Sequence, residues 1–245
     1  MILELDIGNT RVKWRYVDNL GAIIASGALS QMREDGRAEN WWEKIEQLAH
    51  RPTRVRVGSV AGKESNQYIR DACQKSFQCE AAFAVSSHWC AGVQNGYHTP
   101  EKLGVDRWLA VLAAFNRFHT AVCIIDAGSA ITVDYVDGAG QHHGGVIAPG
   151  LSMMAASLLR GTAGVRFDAM QAQAVLALGK NTQEAVYGGV MMAAVGLIQQ
   201  ALNAVPASQF VVLTGGDAEV LKPHLAVNTV LATDLVLEGL QFALP

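Results

Sequence analysis

Two stretches of this sequence follow one plan: a hydrophobic run closing on Asp, a Gly two residues later, then a second strand-like run. Ile2-Leu3-Glu4-Leu5-Asp6 leads to Gly8, and Val122-Cys123-Ile124-Ile125-Asp126 leads to Gly128. The two Asp residues stand 120 positions apart in a chain of 245. A spacing near half the length, with the same order of elements after each copy, is the mark of an internal duplication. It restricts the chain to folds built from two similar halves.

The first half opens on an antiparallel meander. Strands are expected at Ile2 to Asp6, Arg11 to Val17 and Ala22 to Ala28, separated by Gly8-Asn9 and Asn19-Leu20-Gly21. A helix at Trp41 to Ala49, a strand at Val55 to Val57 and a helix near Asn66 to Lys75 follow, with Trp41-Trp42 anchoring the first helix to the core. From Val122 the order begins again. Strands at Val122 to Asp126, Ala130 to Val136 and Gly145 to Ala148 lead to a helix opened by Pro149-Gly150. A helix around Glu184 to Leu202, the strand Phe210 to Leu213 and a turn at Gly215-Gly216 complete the half. The helical pattern Val105 to Phe118 lies between the copies and no Pro- or Ser-rich linker divides them. The expected fold class is α/β: two lobes, residues 1–118 and 119–245, each a mixed sheet flanked by helices, sharing a cleft.

Half of the residues are hydrophobic and the net charge is −3, so a large core is available and no electrostatic footprint marks a nucleic acid or an anionic membrane as partner. Cys73, Cys79, Cys90 and Cys123 show neither Cys-x-x-Cys pairing nor His at metal-ligand spacing. Reduced thiols follow, and with no signal-like start and no apolar run expected to reach membrane-spanning length, a cytoplasmic location. His142-His143, with no third ligand nearby, reads as a pair of solvated surface histidines ahead of a metal site. Met153-Met154 and Met191-Met192 read as helix packing, and equally suit a subunit interface.

An Asp at a strand end, followed by Gly and a small polar residue, suits phosphate and cation chemistry. Gly lets the backbone approach a phosphate, turn amides point at phosphoryl oxygens, and the carboxylate holds a cation. Asn9, Thr10 and Ser129 add short hydrogen-bonding groups and Lys13 a positive charge. A single such turn is equally what a tight hairpin requires; the second copy at the same stage of the other half is what favours a nucleotide. Thr214-Gly215-Gly216-Asp217 is either an ordinary strand-to-helix turn or a third backbone approach to that ligand. Asp106, at the opening of a helix in Gly104-Val105-Asp106-Arg107-Trp108, either caps the helix or accepts a proton from a substrate hydroxyl as it attacks phosphorus, with Arg107 placed to clamp a carboxylate.

This constellation resembles type III pantothenate kinase, a family of the acetate and sugar kinase, heat-shock ATPase and actin superfamily, whose lobes are ribonuclease-H-like. The matching segments are Asp6-Ile7-Gly8-Asn9-Thr10 with Lys13, Gly92 to Tyr97, Gly104 to Arg107, Asp126 to Thr132, Gly145 to Gly150, Asn181-Thr182 and Thr214 to Asp217. The resemblance implies ATP-dependent phosphorylation of pantothenate to 4′-phosphopantothenate, the first step towards coenzyme A. Asp6, Ile7, Gly8, Asn9, Thr10, Arg11, Val12 and Lys13 would form the ATP phosphate loop, joined by Ser129. Asp106 would be the catalytic base. Tyr97, Gly104, Val105, Asp106, Arg107 and Thr182 would bind pantothenate, with Thr182 serving the neighbouring chain of a homodimer. Asp126 would hold potassium or ammonium beside the Mg²⁺ that accompanies ATP. Ser129 departs from the family's usual Thr, keeping the hydroxyl and losing a methyl. Two rivals keep the fold: a kinase of another small hydroxy-acid or sugar, and a catalytically silent regulatory protein.

Overall fold

The computed structural model describes residues 1–31, 40–48, 50–161, 176–206 and 210–245; Ala49, the end of the first expected helix, lies outside them. The chain forms two compact units, Met1–Asn116 with Asp234–Pro245, and Arg117–Thr233.

In the first unit β1 (Ile2–Ile7), β2 (Arg11–Val17) and β3 (Ile23–Ser30) form the antiparallel meander. After α1 (Trp41–Glu46), β4 (Arg54–Ser59) returns parallel to β1; after α2 (Lys63–Phe77), β5 (Ala81–Phe83) lies parallel to β4. The sheet order is β3-β2-β1-β4-β5. A small hairpin, β6 (Trp89–Cys90) and β7 (Val93–Gln94), then leads to α3 (Val105–Phe118). Its two turn residues, Ala91 and Gly92, have φ of 46° and 82°, the left-handed pair that a two-residue turn needs to match strand twist.

The second unit repeats the plan. β8 (Val122–Ala127), β9 (Ala130–Val136) and β10 (His142–Pro149) are antiparallel neighbours, followed by α4 (Leu151–Gly161) and α5 (Thr182–Asn203). β11 (Phe210–Thr214) runs parallel to β8, and after α6 (Ala218–Leu221), β12 (Thr229–Leu231) runs parallel to β11. The order β10-β9-β8-β11-β12 is that of the first sheet, so the duplication read from the two Asp-x-Gly turns extends through the whole topology.

Strand alternation decides what each sheet face covers. Leu3, Leu5 and Ile7 of β1 share a core with Val12, Trp14 and Tyr16 of β2, with Trp41 and Trp42 of α1, and with Ile69 and Cys73 of α2. The corresponding core of the second unit packs Cys123, Ile125 and Ala127 of β8 against Met191, Ala194 and Ile198 of α5. That stripe buries only part of the apolar surface of α5, and the helix revises one expectation. With 22 residues and a mean hydropathy of 1.5 over its most apolar window, α5 is by length and composition alone a membrane-length helix.

The final helix, α7 (Leu235–Ala243), joins the first unit, whereas the repeat alone ran the second half to residue 245. Its ties are specific: Arg15 Nη2 donates to Leu237 O at 3.1 Å and Arg54 Nη2 to Leu244 O at 3.2 Å. Gly239 lies so close to the backbone of Leu109 that a Cβ has no room.

The His142-His143 pair is split, contrary to the surface reading. β10 sends His142 inward, fully buried with Nε2 2.9 Å from Asp134 Oδ1, and His143 outward, with Nε2 2.8 Å from Asp137 Oδ2. Partial burial raises the Asp137 carboxyl, but the His143 contact and hydrogen bonds from the Gln141 and Ala139 amides outweigh it and lower the pKa below the ordinary value.

Burial pushes the thiols of Cys73 and Cys123 up to about 12, so at pH 8 both are neutral and unreactive. Burial raises Cys79 and Cys90 as well. Titration of the native protein with a thiol-exchange chromophore at pH 8 is expected to leave Cys73 and Cys123 unmodified until denaturant is added, and peptide mapping of the labelled protein checks it.

Candidate active site

The topology fixes where chemistry can sit. β1 has an antiparallel neighbour on one side and a parallel neighbour on the other, so at its carboxyl end the hairpin turn leaves on one side and the loop after β4 on the other, the Val60 amide of that loop donating to Ile7 O at 3.1 Å. Asp6 closes that strand, opposite Lys13 on β2 and Gly58 on β4. The Gly8 amide donates to Arg11 O at 3.1 Å, and a Cβ on Gly8 would stand 3.3 Å from the same oxygen. Asn9, Thr10 and Arg11 are exposed, whereas the side chains of Ile7 and Val12 are buried in the core, leaving only their backbone for a ligand. Gln31, just past β3, steadies the turn: its amide donates to Thr10 O at 2.9 Å and its side chain to Gly8 O. No sequence signal pointed to Gln31, since its partners are backbone oxygens reached through the meander.

β8 occupies the same position in the second sheet. Asp126 faces Thr132 on β9 and Thr214 on β11. Three turns converge here. Gly128 N donates to Ala130 O at 3.0 Å within the hairpin turn, and Ser129 O accepts the Gly150 amide at 2.9 Å from the β10 to α4 junction. A Cβ on Gly150 would run into Gly128 O and Ser129 O. The third turn approaches from β11: Gly215, at φ 96°, lies where a Cβ would come within 2.5 Å of Asp126 Oδ1, and the Asp217 amide donates to Ala127 O at 2.8 Å. The Thr214 to Asp217 segment therefore belongs with the Asp126 turn. Gly150, read in the sequence as a helix start and as the end of the matching Gly145 to Gly150 segment, is a steric requirement of the same cluster.

The first turn of α3 carries the third group of candidates. Asp106 Oδ1 accepts the Arg107 amide at 2.8 Å, which orients the carboxylate, and a Cβ on Gly104 would stand 2.6 Å from that oxygen. Both readings of Asp106 are thus present in one side chain: one oxygen bonds a first-turn amide, and the residue is only partly buried. Arg107 is buried and its Nη1 donates to Tyr97 Oη at 2.6 Å. Tyr97 is held in turn, its amide donating to Oδ1 of buried Asn95 at 3.0 Å, while Asn95 Nδ2 donates to Ser87 O at 3.2 Å and Pro100 O at 3.3 Å. The structure therefore brings Tyr97, Gly104, Val105, Asp106 and Arg107 together, with Asn95 as an anchor not singled out in the sequence. Thr182, in the second unit, is the exposed first residue of α5. It follows the cap Asn181, whose Oδ1 accepts the Glu184 amide at 2.9 Å, while Glu184 Oε2 accepts the Lys180 amide at 2.8 Å.

A model of type III pantothenate kinase matches residues 2–204. The chain belongs to the type III pantothenate kinase family. A type III pantothenate kinase of Alcanivorax borkumensis is 37% identical over 98% of this chain and 97% of its own. One from Pseudomonas paraeruginosa is 35% identical over 100% and 99%, and one from Chromohalobacter salexigens 38% over 100% and 88%. Among solved structures, a Baf-family protein of Campylobacter jejuni superposes with a TM-score of 0.61 at 19% identity, covering 98% of this chain and 95% of its own. Component A of the (R)-2-hydroxyglutaryl-CoA dehydratase of Acidaminococcus fermentans gives 0.56 at 13% identity over 99% and 95%. At these identities they show the fold alone, that of the actin-like ATPases. As a type III pantothenate kinase, the chain is an enzyme of a phosphotransferase family.

Gly150→Ala is expected to push the Gly128-Ser129 turn off its seat and destabilise the protein by about 1–3 kcal/mol, the usual range for forced overpacking. Thermal melting beside Gly161→Ala, where a Cβ meets nothing within 4 Å, checks it.

Proposed function

We infer that this enzyme transfers the γ-phosphoryl group of ATP to the primary hydroxyl of pantothenate, giving ADP and 4′-phosphopantothenate, the first step of coenzyme A synthesis, in the cytoplasm. The observation that carries the reading is the first turn of α3, where an oriented, part-exposed carboxylate adjoins a buried guanidinium hydrogen-bonded to a tyrosine hydroxyl. An alcohol acceptor bearing a carboxylate needs that pair: a base for its hydroxyl and a cation for its acid.

Asp106 Oδ2 takes the hydroxyl proton as the oxygen bonds phosphorus and the bond to the β-phosphate oxygen breaks, releasing ADP. Arg107 and Tyr97 hold the pantothenate carboxylate, Gly104 and Val105 line the approach, and Thr182 completes the pocket from the neighbouring subunit of a homodimer. Asp6 to Lys13 cradle the ATP phosphates through the Gly8 turn amides and the Lys13 ammonium, with Ser129 supplying a further hydroxyl. Among the described residues no group of three or more His, Cys, Asp or Glu is placed to hold a metal. That donor set fits Mg²⁺ carried by nucleotide phosphates and one or two carboxylates, with Asp6 the candidate, and does not fit an all-protein cage. Mg²⁺, when bound, offsets phosphate charge. Asp126, packed against Gly215, is the assigned ligand of a potassium or ammonium ion.

Asp106→Asn keeps the oxygen that accepts the Arg107 amide and removes the base. It is expected to lower kcat by about a hundredfold or more with ATP affinity unchanged. Pantothenate-dependent ADP release and nucleotide binding by calorimetry check it; near-normal turnover would remove Asp106 from the mechanism.

A further inference from the structure

One rung behind the nucleotide turn, on the same face of the first sheet as Asp6, lies a buried ionic triad. Glu4 is 1% exposed; its Oε2 accepts Arg15 Nε at 2.5 Å and its Oε1 accepts Arg56 Nη1 at 3.0 Å. The strand register makes it a ladder: Glu4 faces Arg15 on β2 and Arg56 on β4, and Asp6 faces Lys13 and Gly58 one step on. Both arginines are thus diagonal neighbours of Asp6, a spacing that long side chains span. Opposite Asp6 on β4, Gly58 carries no side chain of its own, and the Leu109 side chain packs 2.7 Å from where its Cβ would stand. Arg56 keeps a buried Nε with no hydrogen-bond partner among the described residues, so it has donor capacity in reserve.

We propose that Glu4 is a positioning residue for the nucleotide site: by holding both guanidiniums on its own carboxylate, it keeps them from capturing Asp6 and leaves that carboxylate to Lys13 and the nucleotide. Removing a buried carboxylate strands its cations, and stranded cations move to the nearest anion. Asp6 is the next carboxylate along β1, two residues on and on the same face of the sheet. The second unit supplies a comparison. At the equivalent rung behind Asp126, Ile124 faces Val212 and Asp134, and Asp134 meets His142, so the strand register puts no arginine opposite that position among the described residues. The device accompanies the turn assigned to phosphate and is missing from the one assigned to a cation.

This inference rests on the kinase reading, so the wild-type enzyme must first show pantothenate-dependent ADP release; its failure there would fall on that reading alone. Given activity, three variants grade the number of guanidiniums released from the carboxylate: Glu4→Gln releases two, with Arg15 keeping its bond to Leu237 O, Glu4→Gln with Arg56→Met releases one, and Glu4→Met with Arg15→Met and Arg56→Met leaves none. The KM for ATP is expected to rise about five- to tenfold in the first, less in the second, and to return to within about twofold of wild type in the third, with the KM for pantothenate steady throughout. A triad that served only to hold the fold would not restore ATP binding when it is deleted whole. The proposal is overturned if the triple variant binds ATP as poorly as the others, or if both KM values rise together. Should Glu4→Gln not fold, the double and triple variants carry the same comparison, with melting temperatures recorded for each.

Discussion

The central strand of each sheet is bonded on both sides, antiparallel on one and parallel on the other, and most of the functional geometry follows from that constraint. A strand with two such neighbours ends where the chains on either side turn away, so its last residues are firmly held and the Asp near each end stays part-exposed. Asp6 and Asp126 occupy those tips. The glycines around them answer the same crowding. Gly8, Gly150 and Gly215 each sit where a Cβ would press on backbone or on the Asp carboxylate itself. The duplicated plan thus yields two rigid strand ends, and the residues that differ behind them, a Glu-Arg-Arg triad in one and an apolar rung with Asp134 in the other, give the two carboxylates different surroundings.

Much of this was legible because period-two alternation and Gly punctuation are local signals. β2, β9 and α3 fall on their expected bounds, and the meander order holds in both units. What escaped the sequence depends on distant partners. β5 and β12 are three residues long, too short for a period, and exist as strands through parallel pairing with β4 and β11. α7 has no side-chain cap and no long repeat; it is fixed by Arg15, Arg54 and the fit of Gly239 on Leu109, contacts reaching more than a hundred residues back.

The same division runs through the site. Asp106, Arg107 and the two Asp-x-Gly turns announce themselves by residue type and position. The roles of the groups that hold them do not: Gln31 on the Gly8 turn, Asn95 beneath Tyr97 and Gly150 under Ser129 each meet a backbone partner, and a backbone partner leaves no trace in side-chain pattern. His142 misled for a related reason. A polar pair in a short strand reads as surface, and only the alternation of β10 shows that one member turns inward to Asp134.

Incubating the purified protein with ATP, Mg²⁺, potassium and pantothenate, and following phosphorus by NMR, should show a phosphomonoester growing in step with ADP and only when pantothenate is present. ADP formed at the same rate without pantothenate, or ATP left intact beside it, would contradict the assignment of Asp106 and Arg107 to this acceptor.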